Sequence, residues 1–587
     1  MLKLFKYLKP REWIMLLVSI VFVVVQVFLN LRLPDYMAEI TRLTQTPGSS
    51  MSDIWLNGGY MMLCALGSLV AAFIVGYFAA KIAATLSQRL RSLMFTKVSS
   101  FSMEEINRFS TSSLITRSSN DITQIQMLVV MGLQVLIMAP LTAVWAMIKI
   151  AGRGTQWTEA TAVVLLILIV TVSILMLVAM PKFKRMQTLT DNITRSTREN
   201  LTGVRVVRAY NAEQFQEDKF ELANKDLTGT QLFTYRAMAF MMPMLVMMMT
   251  GLTLSIYWIG AYLIDAAGAQ ARLDYFSNMV VFSSWAMQII MSFMMLVMVF
   301  IMLPRASVSA KRINEVIETE STIADGTVTE GKPGMTGEVE FRDVCFQYPD
   351  APEAILDGIN FKVRKGEVTA FIGSTGSGKS TLINLVPRFF DATCGEVLID
   401  GVNVKDYKLE ALYDKIGYVP QRAVLFKGTI ESNVAYGDNG SGHESTLDEV
   451  KKAMEIAQGS EFVEKMDEGY ESPIAQSGKN VSGGQMQRIA IARAIARKPE
   501  IYIFDDSFSA LDYKTDRVLR AALKKETAGV TSLIVAQRIG TIMNADQIIV
   551  LDQGRIVGKG THKELLKTCP VYLEIATSQL SEEELAS

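Results

Sequence analysis

A glycine-rich segment in the second half of the chain has the spacing of a phosphate-binding loop. Gly373-Ser-Thr-Gly-Ser-Gly378-Lys379-Ser380 satisfies the pattern G-x-x-x-x-G-K-[ST] at every position. The apolar stretch Val368–Ile372 before it predicts a buried strand, and helical sequence follows it. Glycines let backbone N–H groups close around phosphates, lysine adds positive charge and serine can bind Mg²⁺. The segment therefore predicts a site for ATP and Mg²⁺.

Two adjacent carboxylates end a second predicted strand, Ile501–Phe504. An acidic residue at the C-terminal end of a strand beside a phosphate loop suits a ligand of Mg²⁺ or of its bound water, and Asp505 takes that role. The next carboxylate, Asp506, stands where a base that polarises the attacking water would lie. The sequence thus places one carboxylate for Mg²⁺ and one at the position of a catalytic base beside the predicted phosphate loop.

The sequence between these motifs identifies a family. Val481-Ser482-Gly483-Gly484-Gln485 is close to the LSGGQ signature of ATP-binding cassette (ABC) transporters. Over nearly its whole length the chain resembles a half-transporter of the multidrug-exporter type. In that family two cassettes dimerise head to tail, and each ATP is held by the phosphate loop of one and the signature of the other. The signature's serine and glycines open a helix, whose amides can form a second anion site.

The resemblance implies roles for residues outside the phosphate loop. Tyr348 would stack on adenine, Gln421 would form the Q-loop and Ser509–Asp512 would form the D-loop. The residues expected to bind ATP are Tyr348, Gly373, Ser374, Thr375, Gly376, Ser377, Gly378, Lys379, Ser380, Thr381, Ser482, Gly483, Gly484, Gln485 and Asp512. The expected Mg²⁺ ligands are Ser380, Gln421 and Asp505.

Three positions depart from the family's pattern. Members with strong hydrolysis carry Glu directly after the Mg²⁺ aspartate, where this chain has Asp506, which is one methylene shorter. A displacement of about 1 Å can cost on the order of 100-fold in rate. The family's switch histidine is replaced by Gln537, which cannot be protonated near neutral pH, and Gln476 stands where Glu is common. Asp506, Gln537 and Gln421 are therefore the catalytic positions of a degenerate ATP site.

These departures leave the signature intact and predict an unequal pair of subunits. ATP on this chain's phosphate loop should be hydrolysed slowly, whereas a partner's ATP would meet a complete signature. A homodimer would have two poor sites. We therefore expect a heterodimer with a second ABC half-transporter subunit that brings the catalytic Glu and the switch His. The alternative is a homodimer in which Asp506 works adequately.

Composition divides the 587-residue chain into two halves. Long charge-free runs end near residue 304, and soluble α/β character begins near residue 338. We predict an α-helical membrane domain at residues 1–310, a linker at 311–337 and an α/β P-loop ATP-binding cassette at 338–587. The formal net charge of −1 gives no reason to expect a nucleic-acid partner.

Six apolar runs approach the roughly 20 residues that a membrane-spanning helix needs. The connections between the second and third runs and between the fourth and fifth are long and basic, which places them and both termini in the cytoplasm. Both look helical, so we expect long cytoplasmic extensions that turn near Met103–Phe109 and Tyr210–Gln216 through short helices. By resemblance these would be coupling helices that dock on the cassettes. The predicted spans are residues 13–33, 56–80, 128–150, 160–180, 238–264 and 277–303.

Side chains within the spans indicate the class of ligand. Asn30 and the stripe Ser284, Gln288 and Ser292 could line a cavity or hydrogen-bond to neighbouring helices. A methionine-lined cavity would adapt to varied apolar compounds, although core or lipid-facing positions account for most methionines. No Asp, Glu, Lys or Arg lies in the middle of a span, which disfavours an ion-coupled carrier.

The cysteines and the two histidines argue against a protein-bound metal cluster. Cys64, Cys345, Cys394 and Cys569 are far apart without metal-ligand spacing, so we expect reduced, unpaired thiols. The basic N-terminus precedes an apolar run without a cleavage site, which indicates a retained span.

Together these patterns predict an ATPase-coupled transporter in the lipid bilayer of a cell membrane, compatible with a bacterial inner membrane. It would export small hydrophobic or amphipathic compounds of the multidrug type. The alternatives are a dedicated lipid or peptide exporter and an ATP-gated channel. A channel is disfavoured because the spans carry no charged rings.

Overall fold

The computed structural model describes residues 2–46, 48–151, 154–437, 440, 442, 445–526, 528–580 and 585. The chain forms two compact units, of which the first comprises Met1–Ser99 and Ser112–Thr319. The second comprises Ser100–Thr111 and Glu320–Ser587. The prediction placed residues 100–111 in the membrane domain, 1–310, whereas the structure groups them with the second unit.

Long helices build the first unit. Among the described residues, six helical segments are long and apolar enough to cross a membrane, as predicted. The third segment is interrupted by two π-turns, at Arg117–Asp121 and Gly132–Leu136. The helices of these segments are α1 (Pro10–Gln45), α2 (Met51–Ser99), α4 (Thr111–Thr116), α5 (Ile122–Met131), α6 (Ile137–Ala151), α7 (Thr155–Thr202), α9 (Glu213–Ala266) and α10 (Ala269–Glu318).

Two short helices lie between the long ones. The predicted helix at Met103–Phe109 is confirmed as α3, and Glu105 joins it to the backbone N–H of Thr322 at 3.0 Å within the second unit. The second turn lies within the predicted range Tyr210–Gln216, but its short helix, α8, spans Val204–Ala209 and so comes before that range. Asn211 adopts a left-handed conformation (φ 51°) in that turn, which ends the helix.

Buried aromatic side chains hold the long helices together. The indole N–H of Trp157 donates to the carbonyl of Ile256 at 3.1 Å, and that of Trp285 donates to the carbonyl of Leu31 at 3.2 Å. These bonds let tryptophan fill an apolar core without leaving its N–H unpaired. Each ring thereby fixes one pair of helices, α7 with α9 and α10 with α1.

Polar side chains also join the helices. Ser68 donates to Asn30 at 2.6 Å, which supports interhelical hydrogen bonding for Asn30 rather than a cavity position. Lys149 of α6 pairs with Asp35 of α1, and its ammonium lies 5.2 Å from the centre of the Trp285 ring. Lys149 lies at the end of one predicted span and Asp35 just beyond another. The prediction from sequence considered charges only in the middle of the spans and therefore missed this pair.

The described residues of the second unit form an α/β domain with three sheets, which confirms the predicted class. The largest has the strand order β12-β11-β3-β10-β9-β6, and all of its neighbours are parallel except β11 and β12. An antiparallel sheet has the order β2-β1-β4-β5, and β7 pairs with β8. The strands are β1 (Val339–Phe346), β2 (Leu356–Val363), β3 (Val368–Gly373), β4 (Cys394–Ile399), β5 (Val402–Asn403), β6 (Ile416–Val419), β7 (Gly428–Thr429), β8 (Pro473–Ile474), β9 (Ile501–Asp505), β10 (Thr531–Val535), β11 (Gln547–Asp552) and β12 (Arg555–Gly560).

Helices cover the sheets and enclose separate apolar cores. One core lies between the two larger sheets and contains Phe341, Phe371 and Val535. The carboxyl ends of the parallel strands β3, β6, β9 and β10 meet at one edge, where ligands of such sheets bind. The helices are α11 (Lys379–Asn384), α12 (Leu409–Asp414), α13 (Ile430–Val434), α14 (Leu447–Ile456), α15 (Ser460–Glu464), α16 (Gly483–Ala496), α17 (Tyr513–Glu526), α18 (Ile539–Ile542), α19 (His562–Thr568) and α20 (Pro570–Gln579).

The expectation of four unpaired thiols is wrong for two of them. Cys345 and Cys394 form a disulfide, because they lie opposite each other on β1 and β4 with their Cα atoms 4.9 Å apart. They are 49 positions apart in sequence, so spacing alone gave no sign of the pairing. Cys64 and Cys569 are free, as expected.

Candidate ATP-binding site

The phosphate loop connects β3 to α11 and depends on its glycines. Gly376 and Gly378 have φ angles of +85° and +94°, which disfavour residues with a side chain. A Cβ atom at Gly378 would lie 2.8 Å from the Leu356 side chain. At Gly373 a Cβ atom would lie 2.0 Å from the carbonyl oxygen of Leu551. The loop therefore fits only a backbone with glycine at these positions.

Lys379 begins α11 and points back across the loop. Its ammonium donates to the carbonyls of Gly373 at 3.0 Å and Ser374 at 2.7 Å. Burial lowers the pKa of Lys379, and the carboxylates of Asp505 and Asp506 act in the opposite direction. A cation held beside the loop amides can neutralise the β- and γ-phosphates of a nucleotide.

Ser380 and Asp505 bring two oxygen ligands together. The Ser380 hydroxyl donates to Asp505 Oδ1 at 2.8 Å. Burial raises the pKa of Asp505, the bond from Ser380 lowers it and the neighbouring Asp506 raises it further. Mg²⁺ prefers oxygen ligands of this kind and keeps several of its waters, so this pair and the glycine cradle fit ATP with Mg²⁺.

Asp506 follows β9 and accepts hydrogen bonds from two amides. Its Oδ2 atom accepts from Gln537 Nε2 at 2.8 Å and from Gln421 Nε2 at 3.2 Å. Its backbone is in the left-handed region (φ 45°), which aspartate tolerates better than most residues. Burial raises the pKa of Asp506, and the bond from Gln421 opposes that rise. Of the three predicted Mg²⁺ ligands, Ser380 and Asp505 contact each other. Gln421 instead contacts Asp506, which stands at the position of the base.

Tyr348 lies beyond the end of β1, among aromatic rings. Its ring packs edge-to-face on Phe390, with centroids 5.3 Å apart, and on Phe346 at 4.8 Å. Its hydroxyl lies 3.2 Å from the hydroxyl of Thr381 in α11. These contacts fix the ring beside the phosphate loop, in the neighbourhood expected of an adenine platform.

The signature residues are organised around the start of α16. Ser482 caps the helix: its hydroxyl accepts from the N–H of Gln485 at 3.3 Å, and the Gln485 side chain accepts from the N–H of Ser482 at 2.8 Å. A Cβ atom at Gly483 would meet nothing within 4 Å, so the helix start is open. In the described part of the chain these side chains bond each other and not the phosphate loop. Ser482 and Gly483 are exposed at this helix start.

Two residues hold segments near the site in place: Asp512, which was predicted, and Gln579, which the prediction from sequence missed. Asp512 accepts from the N–H of Thr515 at 2.9 Å at the start of α17, and this bond lowers its pKa. Gln579 of α20 accepts from the N–H of Ile539 and donates to the carbonyl of Gln537, both at 2.8 Å. Gln579 therefore holds the segment that carries Gln537. Because it lies about 40 positions away, only the packing of α20 could have revealed it.

Two family models match the chain. The model described as "ABC transporter" matches residues 356–509, and the model described as "ABC transporter transmembrane region" matches residues 16–293. An uncharacterized ABC transporter ATP-binding protein of Mycobacterium tuberculosis is 39% identical over 557 residues, which cover 94% of this chain and 93% of the relative. The ATP-dependent lipid A-core flippase of Pseudomonas aeruginosa is 30% identical over 527 residues, covering 89% and 85% respectively.

A solved structure has the same fold. A bacterial Atm1-family ABC exporter with ATP bound superimposes with a TM-score of 0.80, covering 98% of this chain and all of that one at 23% identity. The chain belongs to the ABC transporter family, as an exporter with its transmembrane and ATP-binding domains fused in one polypeptide. It is a multi-pass membrane protein that couples ATP hydrolysis to export.

Proposed function

We propose that this chain is the ATP-holding subunit of a heterodimeric exporter. Its phosphate loop binds ATP at a degenerate site, and its signature completes the hydrolysing site of a second half-transporter. That partner supplies the catalytic Glu and the switch His that this chain lacks. Both termini lie in the cytoplasm, where ATP is available, because the long basic connections are on that side.

One observation carries the proposal: both amides near Asp506 bond the same carboxylate oxygen. The two bonds use the acceptor sites of Oδ2, so an attacking water would have to be held by Oδ1 of Asp506. The shorter aspartate side chain also keeps that oxygen further from a γ-phosphate than glutamate would. Gln537 cannot become a cation, so it can offer the charge that develops on phosphate only a neutral hydrogen bond.

The described residues suffice to bind ATP but not to hydrolyse it rapidly. The loop amides and Lys379 hold the phosphates, and Tyr348 stacks on the base. Ser380 and Asp505, with Gln421 as the third predicted ligand, would hold Mg²⁺, which neutralises phosphate charge when bound. ATP retained here keeps the two cassettes together while the partner's site turns over.

A cavity in the first unit supports export of apolar or amphipathic compounds. It has a volume of about 700 Å³, lies between α7, α9 and α10, and includes five methionines in its lining. The methionines are Met176, Met241, Met242, Met294 and Met295. Ser173 contributes the hydroxyl group of an otherwise apolar lining. Flexible, polarizable methionine side chains adapt to ligands of different shape.

A dedicated lipid exporter is the second candidate. The 30% identical relative named as a lipid A-core flippase favours it, and an acyl chain would fit the same methionine-rich cavity. Transport by the reconstituted pair distinguishes the candidates. A multidrug exporter should accumulate several unrelated amphipathic dyes in inverted vesicles, whereas a lipid exporter should move labelled lipid and exclude the dyes.

Two substitutions in the co-purified pair test the degenerate site. Ser482→Arg should lower ATPase activity by more than about tenfold, because it removes the cap of α16 and fills the anion site offered to the partner. Asp506→Asn should change the rate by less than about twofold, because asparagine keeps the shape at a position that contributes little to turnover.

The matched control is nucleotide binding at this chain's own loop. Ser482→Arg should leave photolabelling of this subunit by azido-ATP unchanged, which shows that the cassette is folded. A tenfold loss of ATPase activity in Asp506→Asn would show that this chain's own site hydrolyses ATP and is not degenerate.

A further inference from the structure

A second cavity lies inside the cassette, away from the phosphate loop. It has a volume of about 340 Å³ and opens between α17 and the segment that contains α18. We name it the α17 cleft. Ala370 of β3 and Ile534 of β10 contribute to its apolar floor, and Arg517 and Lys524 of α17 lie along one wall. It is at the small end of the range of ligand pockets, so it suits a small molecule.

The cleft exists because two apolar cores do not meet completely. Ile534 lies in a central strand of the six-stranded sheet, yet it is only partly buried. It packs at the edge of the core beneath α17 and also at the edge of the core beneath α20. Ala521 on α17 is too small to close the gap and is exposed. An apolar surface is therefore accessible at the centre of the sheet.

Charge defines which ligand the cleft would take. Arg517, Ala521 and Lys524 recur at helical spacing, so they share one face of α17. Within the described residues, neither the Arg517 nor the Lys524 side chain forms a hydrogen bond or ion pair. Arg520 is occupied, because it binds the Asp516 carboxylate at 2.9 Å and the carbonyl of Gly540 at 2.7 Å. The acidic residue of the lining, Asp546, accepts from the N–H of Val368 at 2.9 Å.

We propose that the α17 cleft is a binding site for a small amphipathic carboxylic acid. The apolar body of the ligand would cover Ile534, and its carboxylate would meet Arg517 and Lys524. Such a ligand would contact α17, which begins directly after Asp512, and α18, which begins two residues after Gln537. This site is separate from ATP binding and from the proposed exchange of signatures, so its test does not depend on either.

The test uses octanoate as the probe and the full chain in lipid nanodiscs. A cysteine is introduced at the cleft by Ala521→Cys and is modified with N-ethylmaleimide. The rate of this modification is measured by mass spectrometry of the peptide that contains residue 521. With a dissociation constant of about 1 mM, about 10 mM octanoate should slow the modification about tenfold. Val518→Cys is the control, because it is exposed on the same helix but outside the lining.

Two further arms separate specific binding from non-specific association. Octanamide has the same apolar chain without the charge and should protect much less than octanoate. Arg517→Glu combined with Lys524→Glu changes two exposed side chains, so the fold should persist, and it should abolish protection. Equal protection at residues 518 and 521, equal protection by octanamide, or no protection by about 10 mM octanoate would each overturn the proposal.

Discussion

Asp506 and its neighbours show how few atoms separate a nucleotide-binding site from a nucleotide-cleaving one. The parallel pairing of β9 with β10 places Asp505 opposite Val535, so Gln537 emerges beside Asp506. The same register would bring a histidine or a longer carboxylate to the same place. The arrangement therefore has the framework of a hydrolytic site with shorter or uncharged side chains.

Restoring two side chains should restore part of the activity. We expect Asp506→Glu with Gln537→His to raise single-turnover hydrolysis of ATP on this chain by at least about tenfold, since closing a misplacement of about 1 Å is worth up to 100-fold. Rapid-quench measurement with the partner's catalytic Glu replaced by Gln isolates this site. Asp506→Glu alone is the matched variant and should give a smaller gain. No gain in either variant would place the defect elsewhere.

Individual residues of this site could be predicted where a motif fixes both type and position. The phosphate loop, Asp505 and the signature belong to this class. The hydrogen bonds to Asp506, the support from Gln579 and the disulfide between Cys345 and Cys394 could not, because each joins residues from separate strands or helices. Their partners are determined by sheet order and packing, which one sequence does not show.

At the scale of elements, α9 and α10 approach each other closely at one glycine. A Cβ atom at Gly260 would lie 2.4 Å from Met279 Sδ and 3.5 Å from the Trp157 ring. Gly251 lies on the same helix, and a Cβ atom there would meet nothing within 4 Å. The two glycines therefore differ in packing while sharing one helix.

Gly260→Val should destabilise the membrane unit, whereas Gly251→Val should not. Overpacking of a closed helix contact typically costs about 1–3 kcal/mol, and a branched side chain on an open face adds no such contact. Heating the detergent-solubilised chain and following the monodisperse fraction by size-exclusion chromatography measures the difference. The expected loss is several degrees in apparent Tm for Gly260→Val alone. Equal losses in both variants would mean that helix propensity and not packing decides.

The existence of the long helices could be predicted from apolar run length, and α3 from the helical character of the connection that contains it. The position of α8 could not, because Gly203 and Asn211 mark a break without showing on which side the helix forms. The π-turns at Arg117–Asp121 and Gly132–Leu136 had no sequence signal either. Local sequence thus predicts an element's type more readily than its irregularities.

At the scale of the whole molecule, the proposed asymmetry concerns two chains. The chain purified alone in nanodiscs should hydrolyse ATP at no more than about one-tenth of the rate of the co-purified pair, a difference of about 1.4 kcal/mol in activation free energy. A coupled phosphate-release assay with and without transported compound measures it. Brisk, ligand-stimulated turnover by the chain alone would rule out the heterodimer and leave the homodimer.

The two-part architecture could be predicted from composition because apolar runs and an ATP-binding motif occupy different halves of the chain. The grouping of Ser100–Thr111 with the second unit could not be predicted. Those residues lie between two apolar runs, and nothing in their local sequence indicates the grouping. Contacts such as that between Glu105 and Thr322 join segments more than 200 positions apart.

The ion pair between Asp35 and Lys149 has a consequence for biogenesis. The two residues are 114 positions apart, so at roughly 5–20 residues per second a ribosome delivers Lys149 about 6–23 s after Asp35. During that interval α1 carries Asp35 without the ammonium of Lys149, with which it pairs in the folded chain. The ion pair can therefore form only after α6 has been translated, later than α1 and α2 can pack against each other.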